Sequence, residues 1–426
     1  MSSKVQDHIE ILNAQTPRNQ FLTTANGSSI AHVPMGGKNA PAYTVVAEQS
    51  TSLAEQPSSY SVQPFTTVPS SALQGGGASI VDFKVPAHTG IMTNVVANMS
   101  VFNSSMANTH LWELPVLPFQ LRRVQILQGS TQVGLDILPD QIWKYYGYSS
   151  TLNELTILQN TTGIDRNTYA NSGKTIPANS TRVYSIDLAP LLSICQARVC
   201  CKYCDEITLR FYIEDISVTC PTNTNTTNAG LQLANMTLTI TERVMSNEHQ
   251  KRLANDYKRG PVSGRAIEYK QELQTINCVA GSDVMLSSNS FNNEKICFAD
   301  VGIRPTNQVG ANMISYADVS TLYLTTVDGV NLHNGLTPSS SDWLNVFYPQ
   351  IFPDNIFTQQ MKLFPVLVGS TDVKQTLKKA KQLGFTVFPN RAVIHVTATA
   401  TASKQLQIAV FCYREVRTTN GKIMVY

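Results

Sequence analysis

Alternation of apolar and polar positions dominates the chain, and at two places a helical period gives way to it. Leu188, Leu191, Leu192 and Cys195 recur at i, i+3, i+4 and i+7, one face of a short helix that Asp187 is placed to N-cap. From Ile207 the period becomes two. Ile207, Leu209, Phe211 and Ile213 share one side and Thr208, Arg210, Tyr212 and Glu214 the other, as in a half-buried strand. The same order recurs near the C-terminus. After Asp372, Val373, Thr376, Leu377, Ala380 and Leu383 form an apolar stripe opposite Lys374, Lys378 and Lys381, and Gly384 stands where a C′ glycine belongs. A strand-like stretch then runs from Phe385 through Ile394 to Thr399. One helix-then-strand signature repeated in two β-rich halves predicts two similar β-domains.

The remaining segments fill in both halves. Ile80, Val81, Phe83 and Val85 lead to Pro86, and Ile91 to Phe102 forms a second run. Leu121, Val124, Ile126 and Leu127 turn through Gln128, Gly129 and Ser130 and return through Val133, Leu135 and Ile137. Leu138 to Leu158, with Trp143 and three tyrosines, reads as partly helical. Leu231, Leu233, Leu238 and Ile240 close the first half near Val244. In the second half Ile296 to Ile303 is a strand, Leu322 to Leu332 a type I′ hairpin about Asp328 and Gly329, and Asn334 to Pro365 an elaborate loop. Val393 to Ala400, Leu406 to Phe411 and a hairpin through Asn420 and Gly421 finish the chain.

These patterns give an all-β protein of two consecutive sandwich or jelly-roll domains with short helices. The expected division is a flexible N-terminal arm over 1–77, a first jelly roll over 78–245, a charged connector over 246–272 and a second jelly roll over 273–426. The arm combines scattered Ser, Thr, Gln and Pro with a possible helix at Val5 to Leu12 and ends in Gly75, Gly76 and Gly77.

Composition narrows the function. Charged residues are 14% of the 426 and the net charge is +3, so neither the basic footprint of a nucleic-acid binder nor long-range steering is expected. No apolar run reaches membrane-spanning length, and the first fifteen residues lack a signal-peptide core. Eight cysteines in such a chain are read as reduced thiols inside a cell. The sequons at Asn98, Asn103, Asn160, Asn179, Asn225 and Asn235 are read as a by-product of an Asn- and Thr-rich composition.

Candidate chemistry is sparse. Nucleophile-elbow, phosphate-loop, dinucleotide and zincin motifs are missing. His88, His110, His249, His333 and His395 are isolated, without the H-x-H of a cupin metal site. Cys195, Cys200, Cys201 and Cys204 form the sharpest cluster, and Cys201 and Cys204 have C-x-x-C spacing. A zinc site or a redox pair is open, but Cys195 belongs to an apolar helix face and no second C-x-x-C exists, so buried thiols are favoured. No catalytic, cofactor-binding or metal residue is assigned. Trp112, Trp143 and Trp343, each with an apolar residue on one side, are read as core or loop anchors rather than sugar-stacking platforms.

The assembled order resembles a known family. SIVDFKVPAHTG, the hairpin LPFQLRRVQILQGSTQVG, the helix and strand of DLAPLLSICQARVCCKYCDEITLRFYI, and the ending LQIAVFCYREVRTTNGKIMV resemble the double jelly-roll major capsid proteins of adenovirus-like, tectivirus-like and virophage-like icosahedral viruses. The resemblance spans roughly 78–426 and rests on element order. It implies a non-enzymatic virion subunit whose homotrimers are pseudo-hexagonal and tile an icosahedral shell, loops outward and termini inward. Implied partners are further copies of the chain, penton and minor capsid proteins and, as one option, an internal membrane, with no sequence-specific nucleic-acid binding and no cofactor. The alternative is a two-domain β-sandwich that binds or cleaves carbohydrate.

Overall fold

The computed structural model describes residues 22–23, 29–30, 57–62, 79–107, 109–111, 116–151, 153–154, 158, 161–162, 175–219, 231–243, 247–333, 337–347, 351, 362–369, 373–379 and 384–426. The suggested helix at Val5 to Leu12, Trp112, Asp372, Ala380 and Leu383 lie outside them.

Two sandwiches follow one another. The first contains β1 (Pro57–Val62), β2 (Ser79–Lys84), β3 (Ile91–Asn103), β4 (Leu121–Gln128), β5 (Ser180–Asp187), β6 (Ile207–Ile213) and β7 (Leu231–Arg243). The second contains β8 (Val262–Cys278), β9 (Asp283–Ser288), β10 (Lys295–Pro305), β11 (Val319–Thr325), β12 (Phe364–Val368), β13 (Ala392–Ala398) and β14 (Ala402–Thr419), with β15 (Lys422–Val425) hairpinned onto β14. In the first, β5-β3-β7-β1 face β2-β6-β4; in the second, β12-β10-β14-β8 face β9-β13-β11. Adding seven to each strand number converts one arrangement into the other. The repeat read from the sequence is therefore a repeat of the whole sandwich, and its helix-then-strand signature is the connection from β5 to β6 and from β12 to β13.

The alternating segments behave as their pattern requires. In β6, Ile207, Leu209, Phe211 and Ile213 are buried and the residues between them half-exposed, each buried side chain contributing about 1.5 to 3 kcal/mol against the cost of ordering the chain. The Leu188 to Cys195 stripe is buried as well, but the helix is confined to Ser193–Gln196 and is preceded by a turn in which Leu192 N–H donates to Leu188 O at 3.1 Å. Asp187 still caps the turn, its Oδ1 accepting Ala189 N–H at 3.0 Å and Val95 N–H at 2.9 Å. The Leu138 to Leu158 region contains α1 (Pro139–Ser149), and α2 (Asn247–Arg259) and α3 (Val373–Lys379) follow. The Phe385 to Thr399 stretch is two strands, Thr386–Val387 and β13, because Asn390 and Arg391 turn the chain between them.

Four expectations change. Residues 57–62, assigned to the arm, pair with Leu238 to Arg243 as the edge strand β1; a Ser-rich segment carries little apolar period, yet its backbone completes a sheet. Residues 262–272, assigned to the connector, belong to β8; of the charges that suggested a linker Arg265 is exposed, Lys270 and Glu272 are half-buried and Glu268 is buried. The loop proposed for Asn334 to Pro365 includes Trp343 in the core, and its last two residues open β12. The Asp328-Gly329 turn is not type I′, which needs positive φ at both central residues. Only Gly329 has it, at +79°. Gly329 N–H donates to Thr326 O (3.0 Å) and Thr326 N–H to Val330 O (2.9 Å), a three-residue bulged hairpin. Asn420 (φ +50°) and Gly421 (+79°) do form the paired left-handed turn.

Candidate functional site: the seam between the two sandwiches

Among the described residues, a dense buried polar constellation lies between the sandwiches. Helix α1 starts with Pro139, whose missing N–H costs nothing in the first turn, and every residue from Asp140 to Ser149 is buried. It rests on the outer face of β12-β10-β14-β8. Strand β10 is consequently buried on both sides: Ala299, Val301 and Ile303 enter the second core, while Phe298, Asp300 and Arg304 meet the first sandwich. Gly302 is required there, because a Cβ would stand 2.4 Å from the Tyr316 ring.

Charge and aromatic contacts interlock at this seam. Lys144 Nζ lies 2.5 Å from Asp300 Oδ1, both side chains fully buried, and the Tyr148 hydroxyl donates to Asp300 Oδ2 at 2.9 Å. Arg304 Nη1 is 3.4 Å from Asp140 Oδ2 and donates to Met313 O at 2.9 Å. Gln407 Nε2 donates to Asp140 Oδ2 (3.0 Å) and Gln271 Oε1 (2.9 Å), and its Oε1 accepts the Tyr316 hydroxyl at 2.6 Å. Trp143 stacks parallel to Tyr316, centroids 6.2 Å apart, and Tyr148 meets Phe298 edge-on at 4.9 Å. Burial pushes the Asp300 carboxyl above its ordinary pKa despite the opposing pull of Lys144 and Tyr148. Buried ion pairs of this kind contribute little net stability, but losing one partner strands a charge.

Glutamine amides add hydrogen bonds across the seam. Gln196 accepts Ile267 N–H at 2.6 Å and donates to Ile267 O at 3.1 Å, occupying the open edge of β8. Gln128 accepts Ile423 N–H at 3.0 Å and donates to Gly421 O at 2.7 Å, which docks the C-terminal hairpin on the first sandwich. Glu268 Oε1 accepts Leu135 N–H at 3.0 Å, and burial raises its pKa although that bond and Arg414 oppose the shift.

The residues singled out from the sequence take other places. Cys195, Cys200 and Cys201 are buried and Cys204 half-buried; Cys204 Sγ donates to Cys200 O at 3.4 Å. Burial raises all four thiols, Cys204 to about 12. No His, Cys, Asp or Glu group suited to a metal ion occurs among the described residues. Trp143 and Trp343 are buried and present no face for a sugar to stack on. His88 and His249 are in neither a metal group nor the seam, and His110 lies in a two-residue strand.

Strand pairing does bring one constellation together that the sequence hid. His395 Nδ1 lies 2.9 Å from Asp283 Oδ2 and its Nε2 3.2 Å from Thr325 Oγ1, the relation of orienter, base and hydroxyl in a nucleophilic triad. Tyr323 lies flat on the imidazole at 4.4 Å and Thr325 is buried, so the hydroxyl faces no cleft. The trio is a cross-strand hydrogen-bond ladder.

No family model matches the sequence, and no curated protein matches it. Solved structures do. The fold is that of double jelly-roll proteins. This chain is similar to VP54 of PBCV-1 as fitted into a reconstruction of the virophage Sputnik, at a TM-score of 0.62 and 11% identity over 87% of this chain and 97% of that one. It is similar to the PBCV-1 capsid at 0.60, with the same identity and coverage. It is similar to the Faustovirus major capsid protein at 0.58 and 10% identity over 96% of each chain.

Proposed function

We propose that the chain is a major capsid protein, a structural subunit of an icosahedral virus shell and not an enzyme. The observation that carries the reading is the seam: two sandwiches of one strand order are held as a single block by a buried helix and two buried ion pairs. Three such blocks around a threefold axis supply six similar β-domains and a hexagonal outline, which a sugar-binding pair of sandwiches has no need of. The solved structures to which the chain is similar are described as capsid components, which supports the same reading. Outer positions of β3 and β7, such as Asn98, Ser100, Thr237 and Thr239, are polar and uncharged, so identical copies pack without like-charge repulsion. The partners are other copies in the virion, then penton and minor capsid proteins. Electron microscopy of the purified protein tests this. Class averages of hexagonal outline with threefold symmetry are expected; discrete two-lobed monomers at micromolar concentration would contradict it.

A further inference from the structure

Helix α2, which joins the sandwiches, is held by one face only. Tyr257 packs on Tyr203 with ring centroids 5.2 Å apart, and its hydroxyl accepts Cys200 N–H at 2.8 Å. The Tyr203 hydroxyl donates to Gln250 O at 3.1 Å. Leu253, Ala254 and Tyr257 are half-buried on that side. The opposite face exposes Lys251, Arg252, Lys258 and Arg259, with Asn255 between the two pairs. A spacing of seven residues puts the pairs on one stripe about 10.5 Å apart.

These four side chains have no ion-pair or hydrogen-bond partner among the described residues. Some exposed cations elsewhere are matched, Lys84 with Glu206, Lys362 with Asp318 and Arg417 with Glu415; others that are not, such as Arg391 and Lys422, are not grouped on one helix face. Compensation of the helix dipole accounts for Lys258 and Arg259 at the C-terminus, but not for Lys251 and Arg252 in the second turn. Glu248 complements the N-terminus and Asp256 flanks the stripe, so α2 carries four cations against two acids, leaving +2 from its Lys, Arg, Asp and Glu.

An unpaired, wholly polar stripe fits a repeating anion rather than an apolar partner. The apolar side of α2 is already docked, so nothing is left to enter a bilayer, which is what usually secures a basic helix on a lipid surface. We infer that α2 is a docking stripe for the phosphodiester backbone of nucleic acid, contacted without regard to base sequence. This goes beyond the capsid reading and stands or falls separately, since it depends on one helix face and not on oligomeric state.

Fluorescence anisotropy of the full-length protein with a labelled duplex of about 30 base pairs tests it. Four phosphate contacts give a slope of log Kobs on log salt of about −3.6, roughly a hundredfold weakening from 50 to 200 mM salt. The exposed quadruple variant K251Q/R252Q/K258Q/R259Q should bind at least tenfold more weakly at 50 mM and show a flattened slope, with unchanged circular dichroism. The control K404Q/R391Q should keep wild-type binding, and two unrelated duplexes should bind alike. Wild-type affinity and slope in the quadruple variant would overturn the inference. So would a tenfold preference between duplexes, or stronger capture by phosphatidylserine vesicles than by DNA at equal phosphate.

Discussion

The segments between β4 and β5 and between β11 and β12 occupy the same slot in the two sandwiches and do opposite work. In the second sandwich that slot holds Ser340–Phe347, whose Trp343 turns inward, donates its Nε1 hydrogen to Leu322 O at 3.1 Å and packs on Phe364 and Phe347 of its own domain. In the first it holds α1, whose Trp143 reaches across to Tyr316 while Lys144 reaches Asp300. The duplicated topology thus has a broken symmetry: one copy uses the insertion as core and the other as a brace. The sheets report the same difference. Outward positions of β3 and β7 stay half-exposed or exposed, whereas β10 is buried on both faces.

Exchanging each tryptophan for alanine separates the two roles and should have the largest effect, about 3 to 5 kcal/mol in either case. Trp143→Ala should loosen the seam and expose the 244–261 region to limited proteolysis, releasing two sandwich-sized fragments. Trp343→Ala should unfold the second sandwich and leave only the first as a resistant fragment. Identical digestion patterns would break the distinction between brace and core.

Lys144→Met or Asp300→Leu alone strands the other partner and should cost about 3 to 5 kcal/mol in denaturant unfolding. The double variant should lie much closer to wild type, since an apolar pair of similar volume removes both desolvation penalties. Equal losses in single and double variants would show that the pair is not the seam's vulnerable element. Gly302→Ala drives a methyl group into the Tyr316 ring and should cost about 1 to 3 kcal/mol. The corresponding exchange at Gly329, where a Cβ meets nothing within 4 Å, should show backbone strain alone and a smaller loss.

The smallest effect concerns pH. Burial raises the Glu268 carboxyl above its ordinary 4.5 in the folded protein, so the folded state holds that proton more tightly than the unfolded chain. Its contribution is fully present below the unfolded value and is lost as pH rises through the folded one. Relative to Glu268→Gln, wild-type protein should therefore gain stability when pH falls from 7 toward 4.5, read as the difference in urea midpoints. A difference that does not vary with pH would remove Glu268 from the seam's energetics.

Much of each sandwich was legible because one face of a strand meets a core and the other meets solvent. Ile207 to Ile213 announces itself by alternation, and Asn420-Gly421 by turn chemistry. The seam left a different trace. Ile296 to Ile303 and Leu406 to Cys412 are nearly continuous apolar runs, the mark of strands covered on both faces, and Asp300 and Gln407 interrupt them where the cover is polar. What covers them was not legible, because Lys144 and Asp300 meet across 156 positions of sequence. The same distance hid Asp283 from His395, 112 positions away. Strand β1 escaped because its pairing is made by backbone groups, which carry no side-chain signature.

The mass of the soluble particle tests the central claim most directly. Three chains of 46.8 kDa give about 140 kDa, and an obligate interface of roughly 2,000 Å² or more should hold that mass through high salt, since a surface so weakly charged is not joined by ion pairs. Light scattering across micromolar concentrations at low and high salt should return a constant trimer. A stable monomer or dimer under those conditions would contradict the capsid reading.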